Sequence, residues 1–368
     1  MPELDAHPHA RAVLAPALAP GGEPSHAYLF HGPGGAGKRA TARSFAAALL
    51  AEGSPDPQSA SRRAVAGVHP DLTWVIPSGA HEILVSDIDG PVVASASKTP
   101  FEARRRVFVI ERVDELGDEA ANRMLKTLEE PASFVHLILL TDRLGEVLPT
   151  ISSRCQLVRF EAPDADRVAE EIERGGVPKE TARACARLAL EDADRARELA
   201  GQDGIKLRAA AERFARSALA GEVATQKPWS ELLGAVRGRG EATRDELQTR
   251  AVQELELHPR KERKRVETEW NERIRRVRRR VETGWLDLGL QLVTLWLAVL
   301  ALIAWEAEDL VRNVDREDEL SADAGRDPLR LRSAVELVED TRLRFSLNVS
   351  EDLACEALAY RLERVLRA

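Results

Sequence analysis

The stretch HGPGGAGKRATA, residues 31–42, sets Gly32, Gly37 and Lys38 at the spacing of a phosphate-binding loop, G-x-x-x-x-G-K, and then places Arg39 where Ser or Thr completes the pattern. In such a loop, consecutive backbone N–H groups and the N-terminus of the following helix cradle phosphates, and the lysine adds a point charge at the terminal ones. The hydroxyl that normally comes next binds Mg²⁺. A guanidinium has five donors and no acceptor lone pair, so Arg39 cannot ligate the metal and its charge repels it. These residues therefore predict the shape of a nucleotide site with its metal chemistry damaged, where residual ATP or ADP binding at Gly32, Gly37 and Lys38 stays open.

A second group agrees. The apolar run RRVFVIERVD ends in Glu111 followed by Arg112, where proteins that hydrolyse a nucleotide carry an Asp for the metal shell and often a Glu to activate water. Glu111 keeps a carboxylate, one methylene longer, whereas Arg112 cannot accept a proton. The third group is LPTISSRCQLVRF, residues 148–160, in which Arg154 follows a short helical piece and precedes a strand-like run. Arg154 could cap the helix by bonding its last carbonyls, or project across an interface onto a phosphate held by a neighbouring subunit; the spacing does not separate the two. Cys155, Cys185 and Cys355 lie far apart with no C-x-x-C pair, so neither a disulfide framework nor a metal site is expected, and a reduced, cytoplasmic setting fits.

The elements that must position these groups follow from the hydrophobic pattern. Up to about residue 160, apolar runs at 27–31, 71–77, 105–111 and 135–141 alternate with amphipathic stretches, as in an α/β domain with a parallel sheet. A helix over 118–128 has an acidic first turn and stops before Pro131. The stretch EGSPDPQSASRRAVAG (52–67) is rich in Ser, Pro and Gly and reads as a mobile surface insertion. Beyond Phe160 comes a small helical region broken at Gly175–Gly176, and from about 205 the chain reads as helix to its end. With 368 residues, two or three domains are expected, and a net charge of −8 argues against a wholly basic nucleic-acid binder. Residues 260–282 are nevertheless basic. Interleaved acids favour a solvated helix of i,i+4 pairs there, with phosphate contact as the sharper alternative. Residues 285–305 are apolar over a membrane-spanning length with Trp at both ends, but Asp287, Gln291 and the acidic run 306–310 favour a buried core helix over a span. The N-terminus lacks the basic and apolar regions of a secretion signal.

The runs HAYLFHGPGGAGKR, HPDLTWV, RRRVFVIERVDEL, ANRMLKTLEEP and LPTISSRC occur in this order, and the chain thereby resembles bacterial clamp-loader proteins of the AAA+ superfamily. The resemblance implies an AAA+ P-loop domain over 1–162, a parallel sheet with flanking helices, followed by a helical lid over 163–204 and an all-α collar over 205–368. NRMLKTLEEP and SSRC are shared with the gamma/tau ATPase subunits, whereas the GKR ending and the missing Asp-Glu pair resemble a non-hydrolysing member. For such a member the resemblance implies partnership with delta and gamma/tau subunits in a ring that places the sliding clamp on primed DNA. It also implies that Arg154, between Ser153 and Cys155, acts in trans on a neighbour's ATP site, and that the apolar segment belongs to the collar rather than a membrane. Family members usually bind zinc through four cysteines in the insertion. Ser, Ala and Pro cannot replace those thiolates here, so no zinc and no other metal is expected. The competing readings are a clamp-loader ATPase that tolerates Arg39 and a membrane-associated AAA+ accessory protein.

Overall fold

The computed structural model describes residues 4–19, 21–77, 82–257, 260–305, 307, 311–345 and 349–367. They form two compact units, Met1–Pro163 and Asp164–Ala368, and the apolar cores of the two are separate.

The first unit is built on five parallel strands in the order β2-β3-β4-β1-β5: β1 (Ala27–His31), β2 (Leu72–Val75), β3 (Arg106–Ile110), β4 (Val135–Thr141) and β5 (Gln156–Arg159). Continuous apolar runs suit strands covered on both faces, because successive side chains point to opposite sides. Tyr28, Phe30, Val107, Val109, Ile138 and Leu140 face one core, while Leu29, Phe108, Ile110, Leu137 and Leu139 face the other. Helices α1 (Pro8–Ala17), α2 (Lys38–Ala51) and α3 (Pro57–Val65) cover the first face. Helices α4 (Val85–Ile88), α5 (Ala94–Ala96), α6 (Asp118–Glu129) and α7 (Pro149–Ser152) cover the second. In α6, Asp118 and Glu119 sit at the positive N-terminus, Lys126 in the last turn, and Ala120, Ala121, Met124 and Leu128 form the buried stripe.

Most of the 52–67 stretch, read as a mobile surface insertion, is α3. Asp56 accepts the Ser59 N–H as N-cap, Pro57 starts the helix, and Ala60 and Ala64 are buried. The Ser/Pro composition marks a helix start here rather than a lack of structure.

The second unit contains only helices among its described residues: α8 (Ala165–Arg174), α9 (Lys179–Leu188), α10 (Ala193–Ala200), α11 (Gln202–Ala220), α12 (Val223–Gln226), α13 (Pro228–Leu257), α14 (Arg260–Ala304), α15 (Glu317–Asp323), α16 (Pro328–Arg344) and α17 (Glu351–Arg367). The helices before and after residue 201 share one core. Helix α14 is long and apolar enough to cross a membrane by composition, and 61% of its most apolar window is buried inside the unit. Its polar side chains are engaged by other helices. Arg342 grips Asp287 at 2.9 Å through two nitrogens, Arg195 reaches Gln291 at 2.9 Å, and Thr294 donates to Glu339 at 2.8 Å. That is the environment of a core helix. In the basic half of α14, the pairs Arg265–Glu269, Arg276–Glu272 and Arg278–Glu282 are the i,i+4 bridges of a solvated face. Val266, Trp270 and Ile274 meet Ala251 of α13 in a small satellite core. Of the acidic run 306–310, all but Ala307 lies outside the described residues.

Candidate functional site

The site lies beyond the carboxyl ends of β1, β3 and β4, the usual place for ligands in an open parallel sheet. β1 runs directly into the glycine-rich turn and α2. Gly32 has φ +144°, and a Cβ there would stand 2.3 Å from the Phe160 carbonyl oxygen, so only glycine lets the loop leave β1 beside β5. Gly37, at φ 81°, makes the left-handed turn that starts α2. The loop has the predicted shape.

What fills it was not visible in the motif. The Lys38 ammonium, 6% exposed, turns back on the loop and donates to the carbonyls of Gly32 at 2.6 Å and Pro33 at 2.5 Å. Its third contact is Asp142 Oδ1 at 2.7 Å, just past β4. An ammonium has three donors, so all three are engaged within the protein. Arg39 reaches from α2 to the end of β3, where Nε and Nη2 donate to Glu111 Oε2 at 2.8 and 2.6 Å. The other carboxylate oxygen, Oε1, accepts the Trp74 indole N–H from β2 at 2.7 Å. The Glu111 side chain is 6% exposed. Arg39 and Arg112 were read as the two departures from a hydrolytic site; in the fold Arg39 is instead ion-paired with Glu111, whose carboxylate the sequence retained.

The phosphate-loop pattern implies a Mg²⁺-nucleotide here, and these residues do not fit the metal. Mg²⁺ requires near-octahedral oxygen ligands, whereas both Glu111 oxygens already accept hydrogen bonds and the adjacent side chain is a cation. Burial also holds the His31 imidazole below its usual range, assisted by the positive charges of His9, Arg159 and Lys38.

Arg112 does not join this group. With φ 56° it turns the chain after β3, and its guanidinium bridges Glu115 at 2.8 Å. Beside it, the Asp114 carboxylate accepts the Thr141 hydroxyl at 2.7 Å and Arg143 Nη2 at 2.9 Å, tying the end of β4 to the turn after β3. Asp142 and Thr141 belong to no motif, and Trp74 and Asp114, although inside the runs HPDLTWV and RRRVFVIERVDEL, were given no role there. Their only signal was a position at or just beyond a strand's carboxyl end.

Arg154 sits apart from the loop cations, on a tight turn after α7. Ile151 beneath it is buried, Arg154 N–H bonds the Ile151 carbonyl at 3.1 Å, and Cys155 N–H bonds that of Ser152 at 3.3 Å. Burial pushes the Cys155 thiol up to about 12, which makes it an apolar anchor and not a nucleophile. The Arg154 guanidinium donates to the Thr150 carbonyl at 2.9 Å, a capping contact, and to Glu129 Oε1 of α6 at 2.5 Å. Both partners of that pair are part-exposed, 35% and 49%, where an ion pair contributes only about 0–1 kcal/mol and is readily exchanged.

Residues 7–164 match the sequence family described as DNA polymerase III, delta subunit. Over 169 residues the chain is 35% identical to DNA polymerase III subunit delta' of Pseudomonas aeruginosa, covering 45% of this chain and 51% of that one. Over 168 residues it is 33% identical to subunit delta' of Bacillus subtilis, covering 45% and 50%. Subunit gamma/tau of Mycobacterium tuberculosis is 30% identical over 162 residues, covering 41% and 27%. The chain spans about half the length of the delta' relatives it matches. The parallel sheet, the glycine-rich loop and the Ser-Arg-Cys turn all lie in this matched part, over which the chain is similar to the delta' subunits of DNA polymerase III.

Proposed function

We propose that this chain acts as a delta-prime-type subunit of a cytoplasmic DNA polymerase III clamp loader, helping a ring of delta and gamma/tau subunits place the sliding clamp on primed DNA. In this reading residues 163–204 serve as lid and 205–368 as the collar that joins the ring, with neither zinc nor nucleotide turnover required. The observation that carries it is the loop whose cations are taken up within the protein, Lys38 by two loop carbonyls and Asp142, and Arg39 by Glu111. The chain's contribution to hydrolysis is then Arg154, mounted on a rigid turn and held by an exchangeable partner. A γ-phosphate developing charge on a neighbouring subunit would draw the guanidinium from Glu129 and be stabilised by it.

The test is a ring reconstituted from purified subunits. Arg154→Ala is expected to leave this subunit folded and able to assemble. The one site it faces should lose on the order of 10³-fold in turnover, so the ring's rate drops by that site's share. An assembled ring with unchanged ATPase rate rejects the role.

A further inference from the structure

We propose that the Arg39 guanidinium is a built-in replacement for the divalent cation, closing the loop on the protein's own charges so that this domain keeps its nucleotide-site architecture without nucleotide or metal. The inference goes beyond the role given to Arg154 and stands or falls separately from it. A metal held by a hydroxyl at position 39 and a carboxylate at the end of β3 would link α2 to β3 through one positive centre. Here the same two elements are linked by a positive centre that is part of the chain, through Nε and Nη2 of Arg39 on Glu111 Oε2. A carboxylate as buried as Glu111 needs a compensating charge and donors for its lone pairs. Arg39 supplies the charge, and Trp74 occupies the remaining oxygen. Lys38 closes the other half of the loop by bridging Gly32, Pro33 and Asp142. Neither loop cation depends on a phosphate for its hydrogen bonds. An incidental surface pair would not place one partner inside the fold or recruit an indole from a third element.

The experiment is thermal unfolding of the full chain in EDTA, in Mg²⁺ and in Mg²⁺ with ADP, backed by equilibrium dialysis of ADP. The unmodified protein is expected to unfold at one temperature in all three conditions, because a ligand that does not bind the folded state adds no stability. Arg39→Thr restores the hydroxyl and bares Glu111. It is expected to unfold several degrees lower in EDTA, to recover with Mg²⁺, and to bind Mg²⁺-ADP at least about tenfold more tightly than the parent. Adding Glu111→Gln to that variant is expected to abolish the Mg²⁺ response. Stabilisation of the unmodified chain by Mg²⁺ or Mg²⁺-ADP overturns the proposal, as does an R39T chain that is as stable as the parent in EDTA and blind to Mg²⁺. Should R39T fail to accumulate, Arg39→Lys decides. A stable, metal-insensitive R39K chain supports the cation replacement, and one that requires Mg²⁺ refutes it.

Discussion

His136 lies inside β4, stacked on His26 with ring centroids 5.7 Å apart, and its Nδ1 donates to the Ser25 carbonyl at 2.9 Å. Burial pushes its pKa down to about 4, outweighing the Ser25 bond, with Arg105 and His26 acting in the same direction and Glu52 against. The unfolded chain, at the ordinary value of 6.5, binds a proton that the folded chain refuses. Stability contributed by the neutral ring is therefore present above pH 6.5, lost as the pH falls toward 4, and unchanged below that. Urea unfolding of His136→Gln is expected to show an acid limb shallower by about 1.4 kcal/mol per pH unit across that window. Equal slopes in parent and variant would exclude His136 as the titrating group. Individual residues were otherwise readable where a motif fixed their chemistry, as with Gly32, Lys38 and Arg39. Their partners were not, because Arg39 and Glu111 are 72 positions apart and only the fold puts them in contact. Arg112 shows the converse: a neighbour in sequence of Glu111, it is turned onto Glu115 by a left-handed backbone.

Among the elements, β1 and β4 match their apolar runs residue for residue because a doubly covered strand is apolar throughout. Helix α3 was missed because its buried stripe is only two alanines, Ala60 and Ala64, among Ser, Pro and Arg. For α14, composition alone could not choose between core and membrane; Arg342, Arg195 and Glu339, brought by other helices, make the choice. A similar polar tie crosses the second unit. Arg208 of α11 holds Asp315 through Nη2 at 2.8 and 2.9 Å, with both side chains under a tenth exposed, and Nη1 lies 3.5 Å from Cys185 Sγ of α9. Removing one partner strands a buried charge. Asp315→Ala is expected to cost about 3–5 kcal/mol in urea unfolding, and replacing both by apolar residues of similar volume to cost far less. If the double replacement costs the sum of the two single ones, Arg208 and Asp315 are not coupled.

At the scale of the whole molecule, separate cores govern the outcome of dissection. The sheet unit ends at Pro163, close to the change in composition after Phe160 that marked its end in the sequence. Residues 1–163 contain both apolar layers of the sheet. Made alone, this segment is expected to unfold cooperatively and to retain the His136 acid response in circular dichroism; a non-cooperative melt would show that it borrows stability from the rest of the chain. The helical unit gave less away in sequence, since tracts rich in Ala, Leu, Arg and Glu specify helices but not which faces meet. Finally, the Arg39–Glu111 pair bears on how such a chain can change over generations. A change of Arg39 to an uncharged residue leaves the buried Glu111 bare, and a change of Glu111 to a residue without a carboxylate leaves a loop with neither its inner salt link nor a metal ligand. If the single replacements weaken the chain as expected for Arg39→Thr, a weakened intermediate separates the ion-paired form from a metal-using one, and the pair would act as a ratchet that holds a lineage to its altered loop.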